Sequence, residues 1–545
     1  YTRVYNATSL YVALTSSDYS SLILAPNFAS STSTTYAVVA AGVTKSTDGL
    51  EDAGAVLDGA AVRATTFVAD ELKPAFSSWQ MDMDSGVMTM AFGEPVNASS
   101  FDAAGVNFQA ASNLGMAEGA ETIALAGTNV TVTSPDGLVQ TIDVGRANMN
   151  AVKALAPLGI TQGQLYLSLN KPCFADLSGN TLSLAYLSVF EGQATTSYTA
   201  DTTPPELWSY DLDMDAGTLR LIFSETVNVY QMQIWELALQ EFGTQAAGTY
   251  RQLINQTVAT STAPSHDVTF TISAKDMNAI KLYDMHVASS AATSFLTLPA
   301  TFCKDLSELE LEIVPVVDTA SPMVVTTFVP DTTKPSLLNY ELDMNARTMT
   351  LRFSEPVRTS SLLTTYLVLQ DNIDVITNGG AAVPLTSAST TSSANGLELV
   401  IDLCDADFNS IKLSAALALS RATTFLKFED LEARNAVSDM IVPPNYLSPV
   451  IDGSAPAPYV FTPDQGNPSL VSYDMDMDGG LLTMTFSEPA DASTLNVTAI
   501  TFQSTAQTIT CNAFGICTVP GADASAGHSL NHGVSAVVAT DSTVL

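Results

Sequence analysis

The residues best suited to chemistry in this chain are carboxylates at regular spacing. Asp211, Asp213 and Asp215 alternate ahead of Gly217, and Asp474, Asp476 and Asp478 alternate ahead of Gly479. Calcium takes several oxygen ligands at flexible spacing, so alternating aspartates before a glycine suit it. The EF-hand pattern fails, because no bidentate glutamate stands at the twelfth position on a helix. A second acidic series runs beside the first. Glu94, Glu225, Glu355 and Glu488 each follow a phenylalanine by two residues, and Asp70, Asp201, Asp331 and Asp464 each precede a proline by four. We read Asp201, Asp213, Asp215 and Glu225, with their repeats Asp331, Asp343, Glu355, Asp464, Asp476 and Glu488, as candidate ligands for weak structural calcium at module junctions. The plainer alternatives are aspartates held in solvent-facing β-turns and glutamates capping strand ends by hydrogen bonds.

Other chemistry is sparse. The four histidines are His266, His286, His528 and His532. The last two are four apart in GHSLNH, without a third ligand, and read as a surface loop. No phosphate loop, paired CxxC or basic patch appears, and no cofactor is required. Cys511 and Cys517 close the short loop CNAFGIC and are a candidate local disulfide. Glycosylation sequons stand at Asn6, Asn97, Asn129, Asn255 and Asn496. The chain therefore reads as a protein without catalysis.

The elements that position these acids recur. SWQMDMDSGVMTMAFGEPV, WSYDLDMDAGTLRLIFSETV, LNYELDMNARTMTLRFSEPV and VSYDMDMDGGLLTMTFSEPA are one pattern written four times. Their central aspartates are Asp82, Asp213, Asp343 and Asp476, so the steps are 131, 130 and 133 residues by subtraction. A period of that length is a whole domain. The boundaries fall at 1–69, the back part of a module; 70–200, 201–330 and 331–463, three complete modules; and 464–545, the front part of another. In the second copy Trp208, Tyr210, Leu212 and Met214 point one way and Ser209, Asp211, Asp213 and Asp215 the other. A turn at Gly217 leads to a return strand with Leu219, Leu221 and Phe223 inward. That is a hairpin with one apolar face. Trp79, Tyr210, Tyr340 and Tyr473 form one core column, packed on a second of Phe92, Phe223, Phe353 and Phe486. Later in each unit ANMNAVK, KDMNAIK and ADFNSIK end at Lys153, Lys281 and Lys412 and read as a capped helical turn crossing between sheets. An apolar run follows, then Asp176, Asp305 or Asp430 in a turn.

About seven short strands per module predict an all-β fold, a tandem array of Ig-like sandwiches of about 130 residues. The sequence DTTPP, an alternating strand, L-x-F-S-E-P-V and then DLSGN at Asp176 to Asn180 resembles bacterial Ig-like domains of the surface-layer type. The resemblance covers all the modules, although D-x-x-G-N is intact only once. It implies an Ig-like fold, an extracellular or cell-surface structural role and no catalysis.

Composition agrees. Of 545 residues 46% are hydrophobic, enough for a core in every module, and 56 acidic against 20 basic residues leave a net charge of -36. Such a surface repels nucleic acid and anionic membrane. No run approaches the ~20 apolar residues of a membrane span. The chain opens on Tyr1 without a visible signal peptide, which reads as a mature or excised form. The two half-modules imply either a window on a longer array or completion of one copy's tail by the next copy's head. The expected function is a structural subunit of an extracellular filament, stalk or surface layer, self-associating head to tail. A cell-surface adhesin binding glycans through the variable stretch Thr377 to Gly396 is the alternative.

Overall fold

The computed structural model describes residues 2–6, 8–25, 28–117, 119–185, 187–243, 250–254, 257–282, 287–317, 322–428, 436–440, 443–503, 510–511, 517–518 and 527–529, with side chains described from residue 8 to 503. The chain divides into two compact units, Tyr1–Asp331 and Thr332–Leu545. The first holds two complete sandwiches and the second holds one.

In the first sandwich, strands Phe76–Asp82 and Val87–Val96 form the expected hairpin. It lies in a five-stranded sheet whose order is Ser197–Thr199, Phe76–Asp82, Val87–Val96, Gly137–Asp143 and Thr131–Val132. The facing sheet has four strands, Gln193–Ala194, Tyr166–Leu169, Val106–Gln109 and Thr122–Ala124. The second sandwich repeats the five-plus-four plan around the hairpin Leu207–Asp213 and Thr218–Val227. The third has the same five-stranded sheet around Leu337–Asp343 and Thr348–Val357, and three strands opposite. The protein is thus a tandem array of all-β, Ig-like sandwiches. Each encloses its own apolar core.

The alternation of the sequence explains the hairpins. Tyr210, Leu212 and Met214 are buried from one strand, and Leu219, Leu221 and Phe223 from the other. Trp208 departs from the expected pattern. The pairing slips between Leu207 and Ser209, so Leu207 turns inward and Trp208 is 52% exposed. A bulge adds one residue to the strand and reverses the faces beyond it.

Both aromatic columns are buried in the three complete sandwiches, but they do not stack on each other in the first. Trp79 lies on Phe108, with centroids 5.7 Å apart, and its indole N–H donates to the Gln193 carbonyl at 2.9 Å. Phe92 meets Phe174 at 5.2 Å. Tyr210 buries its ring and donates its hydroxyl to the Ser294 carbonyl at 2.7 Å. In the fourth copy the hairpin Leu470–Asp476 and Leu481–Phe486 forms, but Tyr473 is half exposed. The sheet that would cover it is incomplete among the described residues.

The crossing helices form where expected, at Arg146–Lys153, Ala274–Leu282 and Asp405–Leu413. Asp430 lies outside the described residues. Asp439 bridges to Val357 as Asp176 does to Val96 and Asp305 to Val227. The third module therefore delays this acid within a longer loop.

Candidate functional site: the junction between successive sandwiches

The last strand of each module pairs in parallel with its first. Ser197, Tyr198 and Thr199 lie opposite Gln80, Met81 and Asp82. The chain therefore leaves the sandwich at the end where the hairpin turns. Strand Gly137–Asp143 also finishes there, with Asp143 opposite Val87, and hands the chain to helix Arg146–Lys153. Turn, helix and exit linker converge on one end of the module. The next module presents the start of its first strand and the end of its second, with the F-S-E-T motif.

Lys153 closes this contact. Its ammonium lies 2.6 Å from the Asp201 carboxylate of the linker and also bonds to Glu225 of the next sandwich. Asp201 and Glu225 are 6% and 8% exposed. A carboxylate oxygen of Asp305 completes the set, all three acids offering atoms within 4.8 Å of one another. Asp305 is held by its own turn, accepting from the Leu311 backbone N–H at 2.8 Å and the Ser307 hydroxyl at 2.9 Å. Around the ion pair, the Thr226 backbone N–H donates to the Asn150 side chain at 3.1 Å, and the Thr226 hydroxyl to the Asn150 carbonyl at 2.8 Å. Asp84, in the turn of the preceding hairpin, accepts from the Thr202 backbone N–H and the Thr203 hydroxyl, both at 2.9 Å. The outward Trp208 receives the Arg146 guanidinium 4.4 Å above its ring.

The electrostatics follow from this enclosure. Burial alone would lower the affinity of Lys153 for its proton, but Glu225 and Asp201 outweigh it and hold the ammonium above the ordinary lysine range. Burial pushes the Glu225 carboxyl up to about 7 while Lys153 pulls it back. The junction is a largely buried ion cluster in which one tethered cation bonds to Asp201 and Glu225, with Asp305 beside them.

The pattern recurs. Lys281 lies 2.5 Å from Asp331, and Lys412 bonds to both Asp464 and Glu488. The structure therefore brings Asp201 together with Glu225, and Asp464 with Glu488, and sets an ammonium against each pair. Glu355 is buried at the end of its strand. The turn aspartates have a different place. Asp213 accepts from the backbone N–H groups of Asp215 and Ala216 at 2.9 and 2.8 Å, Asp343 from Asn345 and Ala346, and Asp476 from Asp478 and Gly479. These are turn-capping bonds, each made by Oδ1. The lysines and Asp305 were not among the expected site residues. Their signal was their period: three lysines at one place in the repeat, in a chain poor in cations.

Of the sequons, Asn129 and Asn496 are exposed and Asn97 is half-buried, accepting from the Ser99 backbone N–H at 2.9 Å. The side chain of Asn6, and Asn255 altogether, lie outside the described residues. Thr510–Cys511 pairs with Cys517–Thr518 so that Cys511 stands opposite Cys517, but their side chains lie outside the described set. His286 and His532 lie outside it too. His528 pairs through its backbone with Phe502.

No protein-family model and no curated protein matches the sequence. Among solved structures, the chain is similar to the I9–I11 tandem of titin at 9% identity, over 69% of this chain and 97% of that one, with a TM-score of 0.13. It is also similar to the S-layer protein rSbsC(31-844) at 11% identity, over 84% and 67%, with a TM-score of 0.13. Domains A168–A170 of titin align at 9% identity over 61% and 88%, with a TM-score of 0.15. At these TM-scores the likeness carries no argument, and the fold rests on the sheets themselves. Among the described residues no helix is long and apolar enough to cross a membrane.

Proposed function

We propose that the chain is a structural subunit of an extracellular surface layer, stalk or filament, and not an enzyme. The observation that carries this reading is the clasped junction. The linker holding Asp201 is fixed to the preceding sandwich by Lys153 and Asp84, and Lys153 also bonds to Glu225 of the next, so two sandwiches share a connection of bonded groups instead of a slack tether. Flexible linkers of Gly and Ser act as random coils. A linker fixed under a lysine that also reaches the next sandwich transmits position from one module to the next, which an array needs. The lysine recurs at Lys281 and Lys412, each bonded to the acid of its own exit linker.

Head-to-tail self-association belongs to the same proposal. Leu10, Tyr11 and Val12 near one end, and Leu470, Val471 and Tyr473 near the other, expose apolar surface of strand residues. Strand edges and apolar faces of this kind are paired in stable assemblies. Negative-stain microscopy of the purified chain tests the reading: beaded, extended particles with a repeat near ~40 Å are expected for sandwiches of this size. A compact globule of unchanging size at all concentrations would overturn it. The adhesin alternative draws less support, because Thr377 to Gly396 contributes Ala382–Pro384 and Thr390–Thr391 to the sheets. A glycan array separates the two.

A further inference from the structure

The head of the first complete sandwich carries the same acids as the second but meets a different helix. Asp70, Glu94 and Asp176 place carboxylate oxygens within 4.8 Å of one another, as Asp201, Glu225 and Asp305 do one module later. Helix Ser16–Ile23 lies against strand Val87–Val96 as helix Arg146–Lys153 lies against Thr218–Val227. Both helices have eight residues, and Ile23 ends the first where Lys153 ends the second. The tethered ammonium is therefore missing at the first head, while the three acids are kept.

The acids are arranged as ligands. Glu94 is 5% exposed, and its Oε2 has no hydrogen-bond partner. Asp70 likewise keeps a buried Oδ2 without a partner. Asp176 is fixed by its turn, accepting from the Ser178 and Asn180 backbone N–H groups at 2.8 Å each, and the Asn180 side-chain amide donates to Asp176 at 2.8 Å and to the Asp70 carbonyl at 3.0 Å. The Tyr19 hydroxyl faces the cluster from the helix and meets the Asp70 side chain. Buried carboxylates without a counter-charge are costly, and more so where an oxygen also lacks a hydrogen-bond partner.

We propose that Asp70, Glu94 and Asp176 form a calcium site, in which a free divalent cation does at the head of the first sandwich what the lysine ammonium does at the head of the second. The inference stands on these residues and not on the surface-layer reading. Three carboxylates and a neighbouring hydroxyl are hard oxygen donors, and calcium tolerates their irregular spacing and completes its shell with water or carbonyls. The lysine-closed head carries a cation of its own; the isoleucine-closed head takes one from solution.

Titration calorimetry of the full chain, stripped with EGTA and titrated with CaCl2, tests this. A saturable site with Kd on the order of 10⁻⁵ to 10⁻³ M is expected, within the range of sensor and extracellular calcium sites. Glu94→Gln should weaken it tenfold or more. Ile23→Lys should abolish it while the chain still melts cooperatively, because the new ammonium fills the site. Terbium used in place of calcium should show tyrosine-sensitised emission that Tyr19→Phe reduces. Absence of binding at 10-fold above that range (about 10 mM), or binding unchanged in both Glu94→Gln and Ile23→Lys, overturns the proposal.

Discussion

The Lys153 ammonium lies 2.6 Å from the Asp201 carboxylate, and the two residues belong to different structural levels. Lys153 ends a helix inside one sandwich; Asp201 opens the linker to the next. The bond joins a module to its own exit, and the bond to Glu225 then joins both to the neighbour.

Replacing Lys153 by Met leaves Asp201, Glu225 and Asp305 buried without a cation. Breaking a buried ion pair by removing one partner costs about 3–5 kcal/mol. Calorimetric melting of the full chain should show the second sandwich unfolding earlier. Adding Asp201→Asn and Glu225→Gln to Lys153→Met should restore most of the loss, because the uncompensated charges go with the lysine.

Phe223 is fully buried in the core of the second sandwich, which shares no residue with the cores of the first and third. Phe223→Ala should cost about 3–5 kcal/mol. The expected result is one melting transition moved down and the others kept in place. A single transition displaced as a whole would show that the sandwiches unfold together.

Asp464 supplies an acid-labile contact. Burial tends to raise its pKa, but the hydrogen bond from Lys412 and that from the Gly466 backbone hold it below the ordinary carboxylate range. A depressed folded pKa gives stability that is present above the unfolded value, about 3.9, and is lost as pH falls through the folded one. Melting temperature measured from pH 6 to 2 should therefore fall less steeply in Asp464→Asn than in the unaltered chain.

Trp208 and Arg146 form a cation–π pair across the first junction. At exposed sites such a pair contributes about 0.5–1 kcal/mol. Arg146→Ala should change the emission of Trp208 with little effect on Trp79, which is buried in the core. Emission identical in the two proteins would place the guanidinium away from the ring in solution.

Much of the fold was legible because the hairpin alternates with period two and recurs at the length of a domain. Trp208 was misplaced because a bulge obeys pairing geometry, which alternation cannot express: Leu207 and Trp208 are both apolar, and either satisfies the pattern. The linker acid and the F-S-E glutamate were recognised as one site. Their counter-ion was not, because Lys153 reaches them only when the closing strand runs parallel to the first and brings helix and linker to the same end. Asp439 was missed for a different reason. The third module lengthens the loop, so the acid that bridges to Val357 stands nine residues after Asp430, the residue chosen by spacing.

The parallel register of Ser197–Thr199 on Gln80–Asp82 has a mechanical consequence. The chain enters each sandwich at the start of its first strand and leaves at the finish of its last, and these two strands lie side by side. Tension along the chain pulls them in opposite senses along their common direction. The ladder between them is then loaded in shear, all its hydrogen bonds at once, instead of being unzipped one by one. A module wired in this way resists stretching best along the line on which its neighbours would pull it.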